Sequence, residues 1–237
     1  MSFPLRIQSP RLVLLFSILG LALLGFACGG SDNNTNTYGG NAGSSVQQEL
    51  SKLADSWSKS NARITYTMSG TGSDLSDTGT MVLIWKYPRS RIDITSSDGS
   101  KVTIISDSKT TLFCTDQGQA QCISFGNDSG VGLGSADFAG LVNPDTLAGI
   151  AQEVPDLKAS DRKIIGQDAR CFGGTDNQGG NGEICFSKSG LLLLITGGDE
   201  TGSFRMEATE ISKDVQDSAF NPPFPVTDLS DILGGGS

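Results

Sequence analysis

Histidine is absent from this chain of 237 residues. Its absence excludes Ser-His-Asp and Cys-His catalysis and histidine-ligated zinc, and it removes the usual general base near neutral pH. The sequence also lacks a GxxxxGK[ST] phosphate loop and a GxSxG nucleophile elbow, and Gly70-Thr71-Gly72 lacks the third glycine of a dinucleotide-binding loop. We therefore expect a protein that is not an enzyme, with no catalytic residue and no cofactor.

Positive charge is also scarce, because 17 basic residues stand against 26 acidic ones and the net charge is −9. It becomes −11 if residues 1–27, which hold two arginines and no acid, are removed. Such a chain binds phosphate backbones poorly and is repelled by anionic lipid headgroups. We expect no nucleic-acid partner.

A long apolar run occurs at the N-terminus. Arg6 and Arg11 precede the uncharged run 12–27, which is shorter than the roughly 20 residues of a spanning helix and has the order of a signal peptide. Gly25-Phe26-Ala27 then lead into Cys28, as in a bacterial lipobox, although Leu24 stands four places before the cysteine instead of three. We expect cleavage before Cys28 and attachment of lipid, acyl chains such as palmitate included, to its thiol. The alternative is an ordinary secretory signal followed by an unrelated cysteine.

The residues after Cys28 have almost nothing to bury. The glycine-, serine- and asparagine-rich stretch 28–44 is therefore expected to be a flexible tether, with a root-mean-square reach of about 20–25 Å. Two acyl chains, at about 0.8 kcal/mol per buried methylene, are enough for stable attachment to a membrane. The sequence thus predicts a signal peptide at 1–27, a lipidated tether at 28–44 and one folded domain at 45–237. It also predicts a location on the extracytoplasmic face of a bacterial cell membrane.

Four further cysteines lie in the predicted domain. An even number of cysteines in an exported chain indicates disulfides more than metal ligands. Three pairings are possible, and the two local ones are favoured because each flanks a turn-rich segment between strand-like runs. A zinc site is the alternative, but neither pair has the short spacing of a zinc knuckle, so no metal is expected. The predicted pairs are Cys114 with Cys122 and Cys171 with Cys185.

Hydrophobic periodicity predicts about ten strands and three helices. A capping box at Ser45 begins a helix with an apolar stripe that ends at Trp57, six alternating runs follow, and two short helices between Phe138 and Val154 precede four more strands. We expect Lys163–Phe172 to be one of those four strands. The C-terminal tail is interrupted by prolines, and we expect it to lie across the surface as irregular chain. A single antiparallel sheet of this width must curl because strand twist accumulates, which indicates an α+β fold.

Seven apolar residues of the first strands share one face of this sheet. They either line a cavity or form an ordinary core under the first helix, and the periodicity is the same in both cases. Methionines among aromatic residues suit adaptable apolar ligands. The seven residues are Tyr66, Met68, Met81, Leu83, Trp85, Ile92 and Ile94.

Two segments resemble motifs of the LolA/LolB lipoprotein-carrier superfamily, which includes bacterial lipoproteins of the LppX/LprG type. Tyr87–Ile94 (YPRSRIDI) is similar to the family's proline, arginine and acid pattern between two strands, and Ser106–Phe113 is similar to its DGKTLWxY hairpin, with Ser108 in place of glycine. The resemblance implies an unclosed half-barrel, a single strongly curved antiparallel sheet with covering helices over an apolar hollow. It implies binding or carriage of a lipid or acylated molecule. The alternative is a non-catalytic interaction or sensor module of the RseB type, which contacts an envelope protein.

Overall fold

The computed structural model describes residues 41–71, 78–107, 109–126, 154, 157–176 and 179–228, and of residues 41–44 and 58 it describes the backbone alone. The described residues form one α-helix, twelve strands and a short 3-10 helix. In chain order they are α1 (Asn41–Ser58), β1 (Asn61–Thr71), β2 (Gly79–Lys86), β3 (Arg89–Ser96), β4 (Lys101–Ser106), β5 (Thr110–Thr115), β6 (Gln121–Gly126), β7 (Lys158–Ile164), β8 (Gln167–Thr175), β9 (Asn181–Ser187), β10 (Leu192–Gly198), β11 (Ser203–Ser212), the 3-10 helix (Asp217–Phe220) and β12 (Val226–Asp228).

All twelve strands belong to one curved sheet, in the order β12-β6-β5-β4-β3-β2-β1-β11-β10-β9-β8-β7. Neighbouring strands are antiparallel except for β12, which pairs with β6 in parallel. The sheet is not closed, because β12 and β7 form its two edges. The predicted fold class is therefore confirmed as a large unclosed antiparallel sheet, whereas the predicted number of strands was wrong.

Two local features account for the additional strands. The predicted strand Lys163–Phe172 is a hairpin, in which β7 and β8 are joined at Ile165 and Gly166 with φ of 45° and 77°. Left-handed backbone is uncommon for a β-branched residue, so Ile165 concealed the turn. The other addition is β12, which lies in the tail that was expected to be irregular.

The helix begins at Asn41, one turn before the predicted capping box, so Ser45 lies inside it and is not its N-cap. Apolar periodicity indicates only those helical turns that pack on the sheet. The additional first turn, residues 41–44, continues no apolar stripe, so the periodicity did not predict it. The two helices predicted between Phe138 and Val154 fall almost entirely on residues 127–153, outside the described residues.

The main core lies between α1 and one face of the sheet, which we call the helix-side face. Leu50, Ala54 and Trp57 of α1 are buried in the same cluster as Ile64 of β1 and Leu83 of β2. Residues paired across neighbouring strands share a face, and residues two apart along a strand do so too. The registers therefore assign the residues of the strands to the helix-side face or to the opposite one, which we call the outer face.

The outer face is covered in part by a C-terminal strap, residues 213–228. Phe220 of the 3-10 helix packs on Ile84 and Ile105, and its ring lies 4.6 Å from the guanidinium carbon of Arg89. The strap then continues into β12, which pairs with the edge of β6. There the amide of Cys122 donates a hydrogen bond to the carbonyl oxygen of Pro225 at 2.9 Å. These contacts cover a backbone edge that would otherwise be open to pairing with other chains.

Candidate functional site

The seven predicted lining residues all lie on the helix-side face. Met81 is paired with Tyr66 and with Ile94, Leu83 is paired with Ile92, and Met68 and Trp85 follow on the same face by alternation. Four of them are buried in the main core, Trp85 is buried outside that cluster, and Met68 and Ile94 are half-buried at its border. The shared face that the sequence predicted is therefore present, and the role of these residues in lining a cavity stays a prediction.

The helix covers one end of this face. Trp57 stacks on Trp85 with ring centroids 6.0 Å apart and an angle of 22° between the rings. Near the middle of the helix, Glu49 accepts a hydrogen bond from Arg170 Nη2 of β8 at 3.0 Å. Both contacts lie towards the strand ends at the β2–β3 and β9–β10 turns, so α1 crosses that end of the face from β8 to β2.

The opposite end of the helix-side face carries four half-buried apolar residues, which we call the apolar rim. Three of them lie in one register row that crosses β1, β11, β10 and β9. The row consists of Met68, Met206, Ile195 and Ile184, and Met206 is its buried member. Three of the rim residues are not among those predicted to line a cavity, because only the order of the strands places β9–β11 beside β1. The rim consists of Met68, Ile184, Ile195 and Phe204.

A row of glycines adjoins the apolar rim on the same face. In register it runs through Gly70, Phe204, Gly197, Gly182 and Gly174, on the five neighbouring strands β1, β11, β10, β9 and β8. A Cβ at Gly182 or Gly197 would meet its nearest described atom at 3.4 or 3.9 Å, which is ordinary contact. Local packing among the described residues therefore does not require glycine there, and the row leaves the backbone bare of side chains on either side of Phe204.

Among the described strands, the helix-side face carries charged residues only on β7 and β8. On β1–β6 and β9–β11 every residue that the registers assign to it is uncharged. Arg170 of β8 is a charged exception, and its guanidinium is paired with Glu49 of α1 and Asp161 of β7. The hydrogen bond with Glu49 is the main cause that raises the pKa of Arg170. An apolar ligand on this face would therefore meet few charges, whereas a buried anion would find no free cation on those nine strands.

The cysteines form the two local disulfides, Cys114–Cys122 between β5 and β6 and Cys171–Cys185 between β8 and β9. Both bridges lie on the outer face, and all four residues are at most 1% exposed. Glu183 lies close enough to Cys171 and Cys185 to suggest three metal ligands. The two sulfurs are bonded to each other, however, so neither is available as a thiolate.

A small pocket of about 210 Å³ lies on the outer face, between the C-terminal strap and the ends of β4 and β5. Its walls include Arg89, Asp107, Leu112 and Phe220, and it is half open to solvent. It is separate from the helix-side face and is therefore not the hollow that the resemblance implies.

Within the described part of the chain, no helix is both long enough and apolar enough to cross a membrane. The predicted signal peptide and Cys28 precede residue 41 and lie outside the described residues.

No protein-family model and no curated protein sequence matches the chain. Among solved structures, MucB is 16% identical over 77% of this chain and 63% of its own length, with a TM-score of 0.49, so the chain spans less than two thirds of it. The lipoprotein LppX of Mycobacterium tuberculosis is 13% identical over 75% of this chain and 99% of its own, with a TM-score of 0.45. LprF of Mycobacterium bovis is 11% identical over 71% and 95%, with a TM-score of 0.39.

These superpositions are loose, and they carry nothing about what this chain binds. MucB of Pseudomonas aeruginosa has also been solved in complex with MucA. The likeness is thus to proteins of the LolA/LolB-like fold, and it concerns the fold alone.

Proposed function

We propose that this protein is a membrane-anchored lipoprotein that binds a hydrophobic ligand, a lipid or an acylated molecule, on the helix-side face of its half-barrel, without making or breaking bonds. One observation carries this proposal. Among the described residues, the helix-side face is uncharged on nine strands, the contacts of Trp57 and Glu49 place α1 over one end of it, and the apolar rim at the other end is half-buried. Half-buried apolar side chains that adjoin a buried core of this kind suit a binding surface for an apolar ligand.

The shape of the rim suits an extended acyl chain. The glycine row lets the chain lie against the backbone, while the side chains of Met68, Ile184, Ile195 and Phe204 contact it from one side. Each buried methylene contributes about 0.8 kcal/mol, so about ten of them supply roughly 8 kcal/mol before the cost of ordering the ligand. A dissociation constant in the micromolar range is therefore the tightest that these contacts alone supply, because the ordering cost is subtracted from this amount.

The anchoring part of the proposal comes from the N-terminus and the disulfides. The lipobox-like stretch ends at Cys28, and the tether that follows holds the domain near a bilayer without docking it there. Two buried disulfides agree with an oxidising, extracytoplasmic compartment. The absence of histidine from the sequence supports the expectation that the protein binds rather than catalyses.

The test is native mass spectrometry of the full-length protein, extracted from its own host in mild detergent and then freed of detergent. We expect wild type to retain a lipid and Met68→Glu to lose it, because the new carboxylate lies on the apolar rim. Ser69→Glu is the matched control, since Ser69 is the next residue on the same strand, faces outward and is paired with Arg205. It should retain the lipid.

Lipid-free wild type, or a Met68→Glu protein as fully loaded as wild type, would contradict the proposal. A different result would favour the interaction module. In that case the wild-type protein would carry no lipid but would retain a bound envelope protein, and Met68→Glu would lose that protein while Ser69→Glu would keep it. Thermal unfolding of both variants shows whether either substitution acts through the fold instead.

A further inference from the structure

Three large apolar side chains are exposed in the described part of the chain, and two of them lie at the same end of the sheet. Tyr87 is 74% exposed at the β2–β3 turn, and Ile165 is 41% exposed at the β7–β8 turn. The start of β8 lies beside the end of β9, so both turns are at the end of the sheet that α1 crosses, which we call the α1 end. We call Tyr87 and Ile165 the apolar tips. The third side chain, Val226, lies at the other end, where β12 begins beside the start of β6.

The backbone at Ile165 makes its exposure more informative. Its φ of 45° is left-handed, and Gly166 after it has a φ of 77°. Two-residue turns of this kind favour Asn-Gly, because a β-branched side chain disfavours left-handed backbone. Isoleucine is therefore unfavourable for the turn, and because it is 41% exposed it contributes little to the core. A contact outside the domain is a physical reason for its presence there.

Each apolar tip lies beside two cations that share one aspartate, which leaves one net positive charge in each cluster. The ion pairs within the clusters have N–O distances between 2.5 and 3.7 Å. At the Tyr87 tip the charged residues are Lys86 and Arg89 with Asp217, and at the Ile165 tip they are Lys163 and Lys188 with Asp168.

The turns at the opposite end of the sheet are acidic. The β3–β4, β5–β6, β8–β9 and β10–β11 turns contain no basic residue, and their acidic residues are Asp98, Asp116, Asp176, Asp199 and Glu200. The net charge of −9 predicts repulsion from anionic headgroups, but this asymmetry concentrates the repulsion at the end away from α1. The domain is therefore repelled least by an anionic surface when the α1 end approaches first.

We propose that the apolar tips and the cation pairs beside them dock the α1 end of the sheet on the surface of an anionic bilayer. Tyrosine is enriched at membrane–water interfaces, and each net positive charge near an anionic surface strengthens binding roughly fivefold. The tips are separated by the strands from β2 to β8, about 24 Å along the curved sheet, so together they fix the direction of the strands against the bilayer.

This inference goes beyond the proposed function, because docking involves no ligand. The tether alone leaves the domain undocked, but it keeps the apolar tips near the surface, where weak contacts are sufficient. In the docked orientation, the apolar rim faces away from the membrane that holds the anchor.

The test adds the full-length protein to preformed vesicles and measures how fast each lysine is acetylated by N-hydroxysuccinimidyl acetate. One set of vesicles contains phosphatidylcholine alone, and the other contains equal parts of phosphatidylcholine and phosphatidylglycerol. Peptide mass spectrometry measures the labelling of each site. On the anionic vesicles, we expect labelling of Lys163 and Lys188 to slow about fivefold or more relative to the neutral vesicles. Labelling of Lys101, at the opposite end of the sheet, should not change.

Ile165→Asn separates docking from a structural role. Asn-Gly is the preferred sequence for this turn, so the variant should raise the thermal midpoint by about 2–4 °C. It should nevertheless lose most of the slowing at Lys163 and Lys188, because one apolar tip is removed. Val226→Thr is the matched control, since Val226 is 46% exposed at the other end of the sheet, and it should keep the wild-type slowing.

The possible failures are distinguishable. An Ile165→Asn protein that keeps the wild-type slowing, or whose midpoint falls, would overturn the docking surface, as would equal slowing at Lys101 and Lys188. Wild-type protein that floats with both kinds of vesicle in a density gradient but shows no slowing would overturn the docking alone. Protein that floats with neither would overturn both the anchor of the proposed function and the docking. Docked protein that carries no lipid would contradict only the proposed ligand binding.

Discussion

Tyr66 provides a direct test of which predicted lining residues belong to the core. Its side chain is fully buried, and its hydroxyl donates to the carbonyl oxygen of Leu192 at 3.0 Å, 126 residues away in the chain. Tyr66→Phe keeps the ring and removes this hydrogen bond. Loss of one partner from a buried pair costs about 1–3 kcal/mol, because the remaining group stays desolvated.

A loss near the middle of that range should lower the thermal midpoint by about 4–8 °C, since about 1 kcal/mol corresponds to roughly 2–4 °C in a domain of this size. Thermal unfolding followed by circular dichroism measures it. Tyr87→Phe is the matched control, because Tyr87 is 74% exposed and the same oxygen is removed at the surface. An unchanged midpoint for Tyr66→Phe, or equal shifts for the two variants, would refute the assignment of Tyr66 to the core.

The same residue predicts how stability depends on alkaline pH. Desolvation by burial raises the pKa of Tyr66 above its ordinary value of 10.0. The raised pKa contributes stability that is fully present below about pH 10 and is lost progressively as the pH rises above it, because the unfolded chain then releases the phenol proton first. Urea midpoints at about pH 9 and about pH 11 should therefore fall more for wild type than for Tyr66→Phe, and a parallel fall would contradict this reasoning.

Two further predictions concern the C-terminal strap. Phe220→Ala removes the ring that packs on the outer face and should reduce the free energy of unfolding by about 3 kcal/mol, as measured by urea denaturation, and an unchanged midpoint would mean that the strap does not stabilise the sheet. Hydrogen bonds from Lys86 and then Arg89 lower the pKa of Asp217, so its contribution is present above pH 3.8 and is lost as the pH falls through the lowered value. Asp217→Asn should be less stable than wild type near neutral pH and should converge with it in acid, and a constant difference would argue against these contacts.

Much of the fold could be predicted because its causes are local. Alternating apolar residues indicate one face of a strand, and the runs bounded by turn residues predicted nine of the twelve strands, with β7 and β8 merged into a tenth. One failure had a local cause, because Ile165 adopts a backbone conformation that its side chain disfavours, whereas β12 is held by a pairing with β6 that is distant in the chain. A strand of three residues has no periodicity of its own, so no sequence pattern could show it.

The candidate site was predicted only in part. Tyr66, Met81 and Leu83 were correctly placed on one face, but the sequence could not tell a cavity wall from a core. Ile184 and Ile195 were missed because the position of β9 and β10 beside β11 and β1 depends on the order of strands across the sheet. Alternation along a strand says nothing about which strand lies next to it.

By itself, the sequence determined the character of this protein: no histidine chemistry, a negatively charged chain, a lipobox-like N-terminus and a wide antiparallel sheet with one apolar face. These follow from residue type and spacing, which act over a few residues. Only the tertiary structure decided that the glycines of four strands align beside the apolar rim, and that Trp57 of α1 stacks on Trp85 of β2. Such meetings depend on strand register and helix docking over long chain separations, and the free energy that selects them is a property of the packed molecule.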